Sequence, residues 1–157
     1  MSKKLTVSGI MMAVYVVMTV IFGVFSYGPI QVRFAAGLYT LAAPMPFLIV
    51  PLSLATSIAN LFGGYGLPDA IGGFVATAAA CYGCYLFRNR GLLVPLAIPL
   101  FSAPILAAYL HILFNLPILV TFASIFTGQL IAAYTMGLAV LKANDIYNRR
   151  NKGEAAG

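Results

Sequence analysis

Apolar residues follow one another along the chain in blocks that are longer than most helices of water-soluble domains. A helix needs about 20 apolar residues to cross a bilayer, and Gly and Pro clusters separate the blocks. The pattern predicts one integral membrane domain, residues 1–157, with six spans at residues 5–26, 31–43, 47–62, 69–87, 92–114 and 117–141. The second span is short, so it must be tilted, lie beside thinned lipid or extend past Pro44 and Pro46.

The composition excludes a water-soluble protein and makes an all-α membrane protein the expected fold class. Hydrophobic residues make up 62% of the chain and charged residues only 8%, whereas about 25% of an ordinary soluble domain is charged. A signal peptide is an alternative for the N-terminus, because Lys3 and Lys4 precede an apolar run. That run continues to about Tyr27, which is too long for such a peptide, so we interpret it as a span.

Basic residues predict the orientation of the spans. Lys and Arg collect in the cytoplasmic loops of membrane proteins, and six spans place both termini on the same side. With both termini in the cytoplasm, only Arg33 lies on the outer half, and the cytoplasmic side receives Lys3, Lys4, Arg88, Arg90, Lys142, Arg149, Arg150 and Lys152. We therefore expect a multi-pass protein of the cell membrane with cytoplasmic termini.

Polar side chains gather at the outer ends of the predicted spans. Such groups are costly in a membrane, so they usually face a bundle interior or a cavity and mark a substrate path. We therefore expect an outward-facing binding pocket that uses Gln31, Arg33, Asn60, Tyr65, Asp69, His111, Asn115 and Gln129. Amide side chains and aromatic faces suit a small planar heterocycle.

Structural roles stay open for several of these candidates. Arg33 either extends its guanidinium toward the membrane surface or presents it to a ligand. Asp69 is also a possible N-terminal cap of the fourth span. Asn115 is also suited to capping the helix that follows Pro117, and Gln129 to an interhelical hydrogen bond.

The residue inventory argues against an enzyme or a metal site. No Gly-rich loop ends in Lys and Ser or Thr, so the chain cannot hydrolyse ATP by that route. His111, Asp69 and Ser102 do not lie in a nucleophile elbow motif. The Cys81 and Cys84 pair has no second ligand pair nearby and is interpreted as two small packing residues. We expect no cofactor and no nucleic acid partner.

Two stretches of the chain resemble the QueT family of queuosine-precursor transporters. Residues 27–35, YGPIQVRFA, resemble that family's Gly-Pro-Ile-Gln-x-Arg signature. Residues 57–77 are similar to its Ala-Asn-Leu motif, Gly-rich loop and Asp-x-x-x-Gly-x-x-Ala-Thr segment. The resemblance covers nearly the whole chain.

The resemblance implies the substrate-binding S component of an energy-coupling-factor (ECF) importer. Such a subunit has six helices and an extracellular pocket, and it works with a transmembrane T subunit and two cytoplasmic ATPases. Gly9 and Ala13 occupy the place where S components carry an alanine-rich docking face on the first helix. A self-sufficient channel or facilitator is the alternative function.

Two positions depart from the family pattern, which usually has glutamate soon after the arginine and again in the last helix. Here those places hold Ala36 and Gln129. A buried ammonium without a carboxylate partner is costly. We therefore expect a neutral purine-like or deazapurine ligand, such as a nitrile-bearing queuosine or archaeosine precursor, in preference to an aminomethyl compound.

Overall fold

The computed structural model describes residues 3–23, 32–63 and 66–154, with side chains as far as residue 149. In these residues all regular structure is helical, which confirms an all-α membrane protein. The six helices are α1 (Lys3–Ile21), α2 (Phe34–Ala42), α3 (Ile49–Asn60), α4 (Gly66–Leu86), α5 (Val94–Phe114) and α6, which begins at Ile118. Short 3₁₀ turns at Pro46–Leu48 and Gly91–Leu93 precede α3 and α5.

Among the described residues, three helical segments are long and apolar enough to cross a membrane: Lys3–Ile21, Gly91–Phe114 and Ile118–Arg149. The last belongs to α6, which runs as an α-helix over Ile118–Ala132, passes through a π turn at Ala133–Gly137 and continues as Leu138–Glu154. The sixth predicted span, which ended at residue 141, is therefore only part of a longer helix. Residues 142–149 of this extension are mostly exposed and include Lys142, Asp145 and Arg149, so apolar periodicity could not indicate it.

The second predicted span differs most from expectation, because α2 is a 3₁₀ helix in the centre of the bundle. Every residue from Ala35 to Ala43 is buried. A 3₁₀ helix rises about 2.0 Å per residue, so the nine residues of α2 extend about 18 Å. The segment is enclosed by α1, α3, α4, α5 and α6. It does not need the full length of a lipid-exposed span, since neighbouring helices surround it.

Two glycines let α2 cross α6 at very short distance. A Cβ added at Gly37 would lie 2.6 Å from Cβ of Met136, and one at Gly137 would lie 2.7 Å from Cγ2 of Thr40. Thr40 donates its hydroxyl to the carbonyl of Gly37 at 2.7 Å and also lies 3.2 Å from the carbonyl of Gly137. The π turn of α6 lies at this crossing. Single π turns inside α-helices are frequently found at functional sites.

The first helix contributes one face to the core and leaves the rest exposed. Tyr15 and Thr19 are buried, whereas Ile10, Val17 and Ile21 are exposed. An exposed apolar face of this size is unfavourable in water and favourable against lipid. α1 is therefore a peripheral helix of the bundle, whereas α2 is a central one.

Candidate functional site

A polar cavity lies among α2, α3, α4, α5 and α6. It is at the end of the bundle where α3 ends and α4 begins. Its polar groups come both from helix ends, as for Asn60 and Asp69, and from helix interiors, as for Thr77 and Ser102. The residues that line it are Arg33, Ala36, Tyr39, Thr56, Asn60, Asp69, Gly73, Ala76, Thr77, Ser102, Leu106, Tyr109 and Gln129.

The α3–α4 junction, the contact between Asn60 at the end of α3 and Asp69 in the first turn of α4, forms one wall of the polar cavity. Asn60 is 1% exposed and Asp69 is 7% exposed. The side-chain amide of Asn60 donates to the main-chain carbonyl of Asp69 at 2.9 Å. Ser57 makes a parallel contact, since its hydroxyl donates to the carbonyl of Ala70 at 2.8 Å. These bonds fix the start of α4 against the last turn of α3.

The carboxylate of Asp69 is held from the other side by α5. Tyr109 donates its phenol hydroxyl to Oδ1 of Asp69. Because α4 begins at Gly66, Asp69 lies inside the helix and is not its N-cap residue. The capping role considered from the sequence is therefore replaced by a hydrogen bond to a tyrosine, although the carboxylate still lies near the positive end of the helix dipole.

Two consecutive glycines of α4 make room for the partners of Asp69. A Cβ at Gly72 would lie 2.6 Å from the ring of Tyr109. A Cβ at Gly73 would collide with the side-chain nitrogen of Asn60 and would lie 3.2 Å from Cγ2 of Thr56. Glycine costs about 1 kcal/mol in a helix relative to alanine. Here that cost allows Tyr109 and Asn60 to approach the backbone of α4.

A network of hydroxyl groups lies at Tyr39, which also lines the polar cavity. The phenol oxygen of Tyr39 is 2.5 Å from that of Tyr15 on α1 and 2.8 Å from the hydroxyl of Thr56. Thr77 donates within the same group, 3.1 Å from Tyr39 and 3.0 Å from Thr56. The two tyrosine rings stack with centroids 5.5 Å apart. The network connects the polar cavity to the buried face of α1.

Gln129 on α6 is bonded to Ser102 on α5 at the edge of the polar cavity. The hydroxyl of Ser102 lies 2.5 Å from Oε1 of Gln129 and 2.6 Å from the carbonyl of Ile98. Gln129 is 8% exposed and lines the polar cavity. It therefore makes the interhelical hydrogen bond that the sequence suggested and also faces the candidate ligand site.

The charges that line the polar cavity oppose each other. Arg33, which is half-buried at the start of α2, supplies one positive charge, and Asp69 supplies one negative charge. Ala36 and Gln129, where the family pattern has glutamates, both line the same space. When both side chains carry their charges, the two charges cancel and the lining has no net charge.

The structure brings together four of the eight residues that the sequence predicted as ligand contacts. Arg33, Asn60, Asp69 and Gln129 line the polar cavity. Gln31 and Tyr65 lie outside the residues that the structure describes. The remaining two residues, His111 in the last turn of α5 and Asn115 directly after it, do not line the polar cavity.

The structure places His111 and Asn115 at the end of α5. Both residues are exposed and neither lines the polar cavity. Nδ1 of His111 lies 2.7 Å from the carbonyl of Leu116. Asn115 ends α5 with a left-handed φ of 53° and donates its N–H to the carbonyl of His111 at 2.9 Å. Asparagine tolerates that conformation better than most residues, so Asn115 terminates α5 and does not cap the following helix.

Sequence reasoning missed several residues of the polar cavity. Tyr39 and Tyr109 line the polar cavity but are not among the predicted ligand contacts. A usable signal existed, because a hydroxyl group in an apolar span must find a hydrogen-bond partner. The Gly72–Gly73 pair was a second signal, since adjacent glycines inside a helix indicate close approach of other groups.

The polar cavity is narrow in this structure. Its volume is about 20 Å³, which is space for about one water molecule. A two-ring heterocycle is several times larger. Binding such a ligand therefore requires the walls to move apart.

The opposite end of the bundle carries a wider and more basic cavity. Its volume is about 600 Å³, and it lies where α2 ends, between the α4–α5 turn and α6. Arg88, Lys142 and Asp145 contribute to its lining. Arg88 and Lys142 therefore lie at the end of the bundle opposite the buried hydrogen-bonding groups of the polar cavity.

Comparison with known proteins gives one family. The family model described as QueT transporter matches residues 5–145. No curated protein and no solved structure matches the chain significantly.

Proposed function

Because the chain belongs to the QueT transporter family, the family of queuosine-precursor transporters, we propose that it is the substrate-binding S component of an ECF importer. The family consists of transporters and not of enzymes. In the proposed function the polar cavity captures a small planar heterocycle from outside the cell. The observation that carries this proposal is the convergence of Arg33, Asn60, Asp69 and Gln129 on one buried space.

The chemistry of the polar cavity supports a ligand with both donors and acceptors on its edges. Arg33 offers only donors, the carboxylate of Asp69 only acceptors, and the amides of Asn60 and Gln129 offer both. Tyr39 and Tyr109 add aromatic surface beside these groups. Such a lining discriminates among heterocycles by their hydrogen-bonding edge.

A neutral ligand is favoured over a cationic one. Ala36 and Gln129 line the polar cavity where the family pattern has glutamate. The remaining carboxylate, that of Asp69, already accepts a hydrogen bond from Tyr109 and has the opposing charge of Arg33 in the same lining. An ammonium group brought into this space would have to share the single carboxylate of Asp69 with Arg33, and desolvating it would be costly.

Calorimetric titration of the purified chain tests the ligand class. We expect 7-cyano-7-deazaguanine, the neutral nitrile, to bind more tightly than its 7-aminomethyl counterpart. The two compounds share the ring system and differ in one substituent and its charge, so each is the control for the other. Tighter binding of the aminomethyl compound would contradict the neutral-ligand proposal.

The proposed orientation places the polar cavity toward the exterior and both termini in the cytoplasm. Arg88 and Lys142 lie around the cavity at the other end of the bundle, and Lys3 begins α1. This arrangement agrees with the usual enrichment of basic residues on the cytoplasmic side.

The proposed partners are a transmembrane T subunit and two cytoplasmic ATPases. Gly9 and Ala13 on α1 are exposed, and no atom lies within 4 Å of the position that a Cβ at Gly9 would take. This open, small-residue face is the proposed docking surface for the T subunit, since small residues let membrane helices approach closely.

Reconstitution into lipid vesicles tests whether this chain only binds the ligand and needs the T subunit and ATPases for transport. Vesicles that contain only this chain should bind the nitrile ligand without accumulating it. Accumulation should begin when the T subunit and ATPases are added with ATP. Flux through the chain alone would instead indicate a self-sufficient channel or facilitator.

A further inference from the structure

We propose that Oδ1 of Asn60 accepts a hydrogen bond from an exocyclic amino group of the ligand. The polar cavity then selects heterocycles that carry this amino group beside a ring N–H. The inference rests on the proposed function, because it assigns one edge of the ligand to one wall of the same cavity.

The two ends of the Asn60 amide have different environments. Nδ2 donates to the main-chain carbonyl of Asp69 at 2.9 Å. This bond fixes the orientation of the amide, because the flipped orientation would place two oxygens against each other. Among the described residues, Oδ1 of Asn60 is the single buried side-chain nitrogen or oxygen without a hydrogen-bond partner.

An acceptor in this position is costly unless something binds to it. Asn60 is 1% exposed, and a buried polar atom without a partner loses its hydration without compensation. The structural contact with α4 uses only the nitrogen of the amide. Because Asn60 lines the polar cavity, a donor that reaches Oδ1 can come from a molecule in that space.

A second acceptor, the carboxylate of Asp69, lines the same cavity. The carboxylate of Asp69 offers about four acceptor positions, one of which is taken by the hydroxyl of Tyr109. The bond from Asn60 to the backbone of Asp69 ties the two residues together. Two acceptors in one lining are complementary to a ligand edge that carries two N–H donors.

The required edge distinguishes two kinds of purine-like ring. A 2-amino-4-oxo pyrimidine ring, as in guanine, presents an amino group directly beside a ring N–H. A 6-amino ring, as in adenine, presents its amino group beside a ring nitrogen that is itself an acceptor. The second arrangement would bring two acceptors into contact at the α3–α4 junction, which leaves both unpaired. The geometry therefore favours the 2-amino-4-oxo edge.

Titration with a matched pair of ligands tests the assignment. The pair is 7-cyano-7-deazaguanine and 7-cyano-7-deazahypoxanthine, which differ only by the exocyclic amino group. We expect wild-type protein to bind the amino compound at least about tenfold more tightly, since its absence leaves a buried acceptor unpaired. In Asn60→Ala the ratio of the two dissociation constants should fall close to one.

Gln129→Leu is the control, because it removes a different amide from the same cavity. This variant should keep the wild-type ratio even if both ligands bind more weakly. An unchanged ratio in Asn60→Ala would overturn the assignment. If that variant does not fold, the wild-type ratio decides alone: equal binding of the two compounds also overturns it.

The same measurements separate this inference from the proposed function. If wild-type protein binds both compounds equally, the cavity is a heterocycle site but Asn60 does not select the amino group. If wild-type protein binds neither compound, the proposed ligand class is wrong and the assignment of Asn60 fails with it.

Discussion

The α3–α4 junction and the α5–α6 junction each contain an asparagine at the end of a helix. The α5–α6 junction comprises residues 111–117, which are the last turn of α5 and the connection to α6. Asn60 is buried, bonds to the next helix and lines the polar cavity. Asn115 is exposed and uses its left-handed backbone conformation to end α5. An asparagine at the end of a helix therefore lines a candidate binding site in one place and only terminates the helix in the other.

The neighbouring helix explains the difference. At the α3–α4 junction, Gly73 leaves space for the amide of Asn60 against the backbone of α4. At the α5–α6 junction, Asn115 is followed by an exposed Pro117, the N-cap position of α6. A polar residue becomes part of a cavity when a small residue on an adjacent helix gives it a place to pack.

Filling the space beside Gly73 should cause the largest loss of ligand affinity among the substitutions considered. Gly73→Ala adds a Cβ that collides with the amide of Asn60, so we expect at least tenfold weaker binding of the nitrile ligand and a loss of stability of about 1–3 kcal/mol. On helix propensity alone, alanine would stabilise α4 by about 1 kcal/mol. The sign of the change in thermal stability therefore separates packing from propensity.

Gly91→Ala is the control for Gly73→Ala, because no atom lies within 4 Å of a Cβ at that position. Calorimetry and thermal unfolding in detergent should give values close to wild type for this control. Increased stability with unchanged ligand affinity in Gly73→Ala would contradict the role assigned to the glycine.

Removing one hydroxyl should have an intermediate effect. Tyr109→Phe keeps the ring against Gly72 but removes the hydrogen bond to the carboxylate of Asp69. We expect ligand affinity to fall about 5- to 15-fold, the equivalent of about 1–1.5 kcal/mol. Titration of Tyr82→Phe, which changes an exposed tyrosine of α4, is the control and should match wild type. Equal affinities for Tyr109→Phe and wild type would show that the hydroxyl group of Tyr109 does not contribute to ligand binding.

Changes at the α5–α6 junction should have the smallest effect on binding. Asn115→Ala is expected to cost about 1 kcal/mol of stability, because alanine tolerates the left-handed conformation poorly. Asn115→Gly should retain wild-type stability, since glycine adopts that conformation readily. Both variants should bind ligand within twofold of wild type by calorimetry. A large loss of affinity in Asn115→Gly would show that the α5–α6 junction contributes to ligand binding and would contradict this prediction.

The sequence predicted the fold class and half of the proposed contacts because both depend on polarity along the chain. Long apolar blocks indicate membrane helices, and costly polar residues indicate an interior or a cavity. Arg33, Asn60, Asp69 and Gln129 were found in this way. The same criterion selected His111 and Asn115, because polarity alone does not say whether a helix end turns inward or outward.

Tertiary packing accounts for what could not be predicted. The central position of α2 depends on contacts with other helices, so the short length of the segment alone could not indicate that it lies inside the bundle. The partnership of Tyr109 with Asp69 joins residues 40 positions apart. Periodicity within one helix carries no information about such pairs.

The most direct test compares the two asparagines in one measurement. The dissociation constant of 7-cyano-7-deazaguanine is determined by calorimetry for wild type, Asn60→Ala and Asn115→Ala, each shown to be folded by thermal unfolding. We predict a loss of affinity of at least about tenfold for Asn60→Ala and a change of less than about twofold for Asn115→Ala. Equal losses in both variants, or a larger loss in Asn115→Ala, would contradict the placement of the ligand at the α3–α4 junction.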